Sequence, residues 1–240
     1  MFDFVEKRKD FRQKANRRSL LISLVAVFAS LHTILGLIPG IWRSWIIALE
    51  PLEGIVLGPI GGFLAALIGT LLSRFIRPRV AVMYFFGLGE PLGALTAGLI
   101  FKGKHYQVLA IYTIMLAAYF LHPLGRTLPA WCLWDVYAAC ALIVISLLLW
   151  KTVENRKPLK LFLTSFIGIE ADVLWRIFLF IPLEFYKALG FSEEALPVIW
   201  IAGAFETPVE TAISVVVTLT VGLPLLKAIE KSKLINYPVT

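Results

Sequence analysis

The chain has 240 residues, 59% of them hydrophobic and 16% charged, with a mean hydropathy of +0.82. A soluble domain runs at roughly 45–50% apolar and about 25% charged, so composition excludes an ordinary soluble globular domain. The net charge of +7 does not call for a nucleic-acid partner, because the cations sit at the ends and in short loops. Residues 1–18 carry seven Lys/Arg against three acids, 151–160 four against one, and 227–240 three against one. That is the positive-inside distribution of an integral membrane protein.

A helix needs roughly 20 apolar residues to cross the hydrocarbon layer, so a chain of this length holds about six to eight crossings and no soluble domain of normal size. The expected fold is an all-α, polytopic transmembrane helical bundle in the cell membrane. A basic cytoplasmic tail would cover 1–18, a single integral membrane domain 19–229, and a second cytoplasmic tail 230–240. The first apolar run, Ser19 to Ile38, follows a basic stretch but has no A-x-A cleavage pattern after it, so it reads as a retained span. Further runs fall at about 81–101, 106–122, 130–150, 159–181 and 203–226. The stretch from Trp45 to Ile76 exceeds one span and is interrupted by Glu50-Pro51, Glu53-Gly54 and Gly58-Pro59. It reads either as one long helix with an outer half-helix or as two short segments joined at Gly58-Pro59.

Charge arbitrates. If 45–76 crosses twice or returns to its starting side, the N-terminal tail, 102–104, 151–160 and the C-terminal tail all face the cytoplasm and collect sixteen of the Lys/Arg residues. Both termini are then cytoplasmic. Arg74, Arg77 and Arg79 are the misfit of this topology, since it leaves them outside with Arg43, Arg126 and Lys187.

Small residues recur at helical spacing: Gly54, Gly58, Gly62 and Ala66; Gly61, Ala65 and Gly69; Gly89, Gly93 and Ala97. Such ladders let helices approach closely. Glu50-Pro51-Leu52 with Gly54 is echoed by Glu90-Pro91-Leu92 with Gly93. Cys132 and Cys140 read as buried apolar residues, with no metal-ligand spacing. His32 and His122, isolated near helix ends, read as packing or interface residues, and Trp42, Trp45 and Trp200 as belt residues at the membrane surface.

The run from Leu49 to Gly69, which contains Glu50-Pro51-Leu52-Glu53-Gly54 and Gly58-Pro59-Ile60-Gly61-Gly62 and follows a first span ending in Ile38-Pro39, resembles a glycine-rich segment of a known family. That family is the substrate-binding S components of energy-coupling factor (ECF) transporters. The tail from Trp200 through Glu206-Thr207-Pro208-Val209-Glu210 to Gly222-Leu223-Pro224 is similar to the family's last helix. The resemblance implies six core helices, with 106–150 as the surplus, and capture of a vitamin-like small molecule. It also implies uptake driven by a transmembrane coupling subunit and two ATPase subunits. Ala26 and Ser30 would correspond to the small-residue motif through which the first helix meets the coupling subunit.

Ionisable groups inside apolar runs each cost a few kcal/mol or more if they face lipid, so they mark a cavity or pair with one another. Glu50, Glu90, Asp135, Glu170, Asp172, Arg176 and Glu206 converge on the outer half of the expected bundle, with Trp134 and Trp175 beside two of them. These nine residues form the expected substrate site, with Glu53 and Glu210 at the edges of the same runs. Six acids against Arg176 and Arg43 leave excess negative charge. This points to an aromatic or amine-bearing cation resembling thiamine or its pyrimidine part, with a divalent metal as the rival. No resident cofactor or structural metal is expected. The chain has no G-x-x-x-x-G-K-[ST] and cannot drive transport itself. Two other classes compete: a membrane scaffold without ligand, and an intramembrane hydrolase using Asp135 with Asp172 or Glu206. Against the hydrolase, G-x-S-x-G and H-E-x-x-H are both missing from the sequence.

Overall fold

The structure, a computed structural model, describes residues 2–41 and 43–232, with side chains described between Ser19 and Lys231. Trp42 and residues 233–240, most of the expected C-terminal tail, lie outside the described residues. In chain order the helices are α1 (Phe2–Leu37), α2 (Glu50–Ile76), α3 (Val82–Phe86), α4 (Gly89–Phe101), α5 (His105–Leu121), α6 (Pro123–Thr127), α7 (Trp134–Leu148), α8 (Trp150–Glu154), α9 (Lys157–Phe180), α10 (Phe185–Ala188), α11 (Leu196–Val217) and α12 (Leu223–Ser232). No strand forms among the described residues. The basic 2–18 segment continues α1 as helix.

Five helical stretches are long and apolar enough to cross a membrane: Ser19–Leu37, Glu50–Ile76, Val82–Phe101, Ala130–Leu148 and Glu193–Lys231. Helix α5 is apolar but shorter, and α9 has the length but buries Glu170 and Asp172 in its middle. The outward surface is apolar: Phe75 is 78% exposed, Leu148 75% and Ile114 67%. Side chains of that kind have no partner in water and fit a hydrocarbon surround.

Helix α2 is where the backbone departs from a simple rod. Gly58 has φ 79° and ψ 176°, a conformation open to glycine, and Pro59 follows with no N–H to continue the ladder. The chain doubles back there. A Cβ on Gly62 would come within 2.7 Å of the Gly54 Cα, whereas eight residues along one continuous helix are separated by about 12 Å. Residues 50–57 therefore form a short limb that turns at Gly58 and returns along 59–76, lying against α1 and α4. A Cβ on Gly54 would overlap the Ala94 carbonyl, and one on Gly98 would come within 2.7 Å of Pro59. Side-chain-free faces at these positions are what allow the hairpin to nest on α4.

The tip of this hairpin lies in an apolar cluster built from Leu24, Val25 and Phe28 of α1, Leu57, Phe101, Leu161, and Leu226 and Ile229 of α12. At the same end the Lys160 ammonium sits 4.1 Å from the Phe101 ring centroid, and Lys157 pairs with Glu230 at 2.7 Å. The opposite end gathers residues 36–40 and 43–46, the end of α2, α3 and the start of α4. The second core cluster ties α5, α7, α9 and α11 together around Tyr112, Val136, Ile167 and Trp200.

Candidate functional site: a buried charge network at one end of the bundle

Glu50 and Glu53 open α2, Glu90 opens α4 and Asp135 opens α7, each in a first turn, where unpaired N–H groups and the helix dipole favour a carboxylate. Residues 50–57 and α4 lie side by side, so the echoed Glu-Pro-Leu motifs bring Glu50 and Glu90 to one place. Glycine supplies the room. A Cβ on Gly89 would overlap the Asp172 carboxylate, and one on Gly93 would overlap that of Glu50. These two glycines, expected to serve helix contact, cradle side chains instead.

Three groups of contacts follow. In the first, His32 Nδ1 lies 3.0 and 3.1 Å from the two Glu53 oxygens, and its Nε2 lies 3.0 Å from Thr70 Oγ1 and 3.4 Å from Glu90 Oε2. The Thr70 hydroxyl donates its one proton to Glu90 Oε2 at 2.5 Å. With that proton spent, Nε2 is the donor to Thr70 Oγ1, while Nδ1 faces both Glu53 oxygens. Arg74 holds the far side of Glu90, donating from Nη2 to Oε1 at 2.9 Å and from Nη1 to Oε2 at 3.3 Å. His32, Glu53 and Thr70 are fully buried.

In the second, Arg43, from the loop before α2, reaches inward to Asp172 Oδ2, and its Nε lies 2.7 Å from Glu210 Oε2. Arg176 donates to Asp172 from Nε at 2.9 Å and from Nη2 at 3.1 Å. Burial works against the charge on Arg43, but Asp172 first, then Glu210 and Glu50, hold its pKa above the ordinary guanidinium value. Glu50 is fully buried in the same neighbourhood, and neither of its oxygens has a hydrogen-bond partner. In the third, Thr207 and Thr211, one turn apart on α11, donate to Asp135 Oδ2 and to Glu170 Oε1, the latter at 2.6 Å.

The structure thus brings Glu50, Glu90, Asp172 and Arg176 into one cluster, with Asp135 and Glu170 on its α11 flank. It does not bring the other three expected residues there. Trp134 is 49% exposed and its indole N–H donates to the Ala204 carbonyl. Trp175 donates to the Phe85 carbonyl, and Glu206 is half-buried with no hydrogen bond or ion pair among the described residues. The glutamate of that pair that enters the network is Glu210, one turn further on. His32 is likewise a member of the network rather than a packing residue. Trp200, expected at the membrane surface, is buried and stacks between Tyr119 and Phe180. Ala26 and Ser30 are exposed on α1, with the Ser30 hydroxyl bonded back to the Ala26 carbonyl at 2.8 Å.

Two cavities adjoin the network. One, of about 280 Å³, is walled by Leu133, Val173, Ile177, Phe180 and Trp200, with Asp135 and Thr207 as its acidic and hydroxyl groups. The other, of about 260 Å³, is lined by Arg43, Arg74, Arg77, Arg79 and Arg176 against a single carboxylate, Glu90. Phe86 and Arg176 belong to both walls. This changes the expected charge balance. Of the acids counted as excess, Glu90 takes Arg74 and His32 and Asp172 takes Arg43 and Arg176, while Asp135 and Glu170 take threonine hydroxyls. Among the described residues no group of three or more His, Cys, Asp or Glu is set to hold a metal ion.

The fold and this site define an all-helical chain with several helices able to cross a membrane and a charged network sealed inside. No family model matches the chain, and no solved structure matches it. It is similar to an uncharacterized protein of Methanocaldococcus jannaschii, with 26% identity over 170 residues, or 66% of this chain. The match spans 57% of that protein's length.

Proposed function

We propose that the chain is a membrane-embedded solute-binding subunit, multi-pass with both termini in the cytoplasm. In this reading it captures a vitamin-sized molecule for uptake driven by a transmembrane coupling subunit and two ATPase subunits. The observation that carries the reading is the sealed network of His32, Arg43, Glu50, Glu53, Glu90 and Asp172 beside two cavities. A helical bundle needs no such groups to fold, and each is costly to desolvate without partners. The resemblance to ECF S components supplies the partners. The hairpin at Gly58 and the exposed small residues Ala26 and Ser30 agree with it. The deciding experiment is purification of the tagged chain from its native membranes. Recovery of an ATPase pair carrying G-x-x-x-x-G-K-[ST] motifs with a helical coupling subunit, together with tryptophan-fluorescence quenching by one member of a vitamin panel, supports the reading. A chain purified without them that binds no panel member refutes it.

A further inference from the structure

We propose that the arginine-lined cavity is an anion subsite that holds a carboxylate or phosphate group. Within the solute-binding reading, on which this extension rests, the apolar cavity across Phe86 and Arg176 takes the remainder of the same molecule. Three observations converge. The first is composition: five guanidiniums and one carboxylate line the cavity, and Arg is the side chain whose planar donor fork matches carboxylate and phosphate oxygens. The second is that donors remain after the internal pairs are made. Arg43, which lines the cavity, leaves Nη2 buried without a hydrogen-bond partner, a state that costs free energy. The exposed guanidiniums of Arg77 and Arg79 make no hydrogen bond or ion pair among the described residues.

The third observation is size and adjacency, since Phe86 and Arg176 line both cavities. Each cavity alone falls just short of the roughly 300–1,000 Å³ of ordinary small-ligand sites, and the two sharing a wall fall within it. The paired arginines, Arg43, Arg74 and Arg176, are fixed by Asp172, Glu210 and Glu90. They therefore present a pre-set positive wall, whereas Arg77 and Arg79 supply the uncompensated charge. A solute with an anionic end and an apolar or ring-bearing body fits this pair of cavities. A cation would meet the guanidiniums first. The same chemistry is offered by the phosphate of a lipid headgroup, so the source must be resolved by the assay.

The experiment uses the full chain in detergent and compares thermal stabilisation and tryptophan quenching by matched probes. These are inorganic phosphate, pantothenate against panthenol, pyridoxal 5′-phosphate against pyridoxal, and thiamine as the cation. The expected result is binding of anionic members in preference to their neutral partners. Arg77→Gln with Arg79→Gln should weaken that binding about tenfold or more per guanidinium, the order of one charge-assisted hydrogen bond. Both side chains are exposed, so the variant should unfold at the temperature of the parent without ligand. A parallel arm in phosphatidylcholine nanodiscs, with or without phosphatidylglycerol, reads the lipid source. Anion binding lost only when phosphatidylglycerol is present keeps the subsite and assigns it to a headgroup. Equal binding of charged and neutral partners, preferred binding of thiamine, or an unchanged affinity in the double variant overturns the anion subsite while leaving solute binding intact. Absence of any response to phosphate, the soluble anions and phosphatidylglycerol overturns the subsite outright.

Discussion

Two chemically identical substitutions, Gly54→Ala and Gly203→Ala, should have opposite effects, because the hairpin in α2 makes one glycine indispensable. A methyl group on Gly54 would overlap the Ala94 carbonyl and approach the Gly98 nitrogen at 2.7 Å. Both are backbone atoms of α4, so no side chain can turn aside. Overpacking typically costs about 1–3 kcal/mol where side chains can adjust, and a backbone obstacle places Gly54→Ala at or above the top of that range. Gly203, on α11, has nothing within 4 Å of the same added atom. There the only change is helix propensity, which favours Ala by up to about 1 kcal/mol. For a chain of this size each kcal/mol shifts the unfolding midpoint by roughly 2–4 °C, so Gly54→Ala should lower it by about 6–12 °C while Gly203→Ala leaves it level or slightly higher. The assay is thermal unfolding of the purified variants in one detergent, followed by circular dichroism at a helical band. If Gly54→Ala melts with the parent, residues 50–57 do not lie against α4 and the doubled-back limb is wrong.

Arg74→Ala should destabilise the chain by about 3–5 kcal/mol, because it leaves the Glu90 carboxylate buried with one cationic partner fewer. Adding Glu90→Gln should restore part of that loss in chemical unfolding, and two simply additive losses would count against the pair. Ala26→Trp, on an exposed face of α1, should leave the melting temperature unchanged yet abolish co-purification with the coupling subunit, and intact recovery of the complex argues against that interface. In a background with Cys132 and Cys140 replaced by Ala, an impermeant thiol reagent applied to intact cells should label Leu183→Cys and spare Lys104→Cys. Labelling of Lys104→Cys reverses the orientation.

The helices were readable because apolar runs of helical length leave little choice once composition has excluded a soluble domain. The doubling back at Gly58 was readable only as one of two options. Gly-Pro in an apolar run permits both a kink and a reversal, and the contact between Gly62 and Gly54 that decides between them is tertiary. His32 was misjudged for a related reason. Its partners Glu53, Thr70 and Glu90 are 21, 38 and 58 residues away, so a lone histidine in an apolar span carried no local sign of them. Being an ionisable group inside the first span was the one available signal. The tryptophans failed differently. Trp134 and Trp175 stand beside ionisable residues in sequence, Asp135 and Arg176, but neighbours along a helix point about 100° apart, and their indoles donate to the Ala204 and Phe85 carbonyls.

The arginines at the end of α2 join these threads. In the proposed orientation Arg74, Arg77 and Arg79 lie on the side that positive-inside statistics disfavour, and a loop tolerates that only when something offsets it. For Arg74 the offset is internal: its guanidinium is turned back onto Glu90, which also receives the Thr70 hydroxyl and lies against the His32 ring. The charge that the sequence displays as a cation at the end of a span is thus part of a sealed network. Arg77 and Arg79 have no such acceptor, although Glu90, Asp172 and Glu210 lie close behind the same cavity wall. A bundle requiring only fold stability would have no use for two further cations there. Their place on an arginine-lined cavity is explained when the missing acceptor is supplied from outside the chain. The same features that fit the charge rule poorly then become the entrance of the site, and the network behind them the rigid support that keeps Arg43, Arg74 and Arg176 in place when the site is empty.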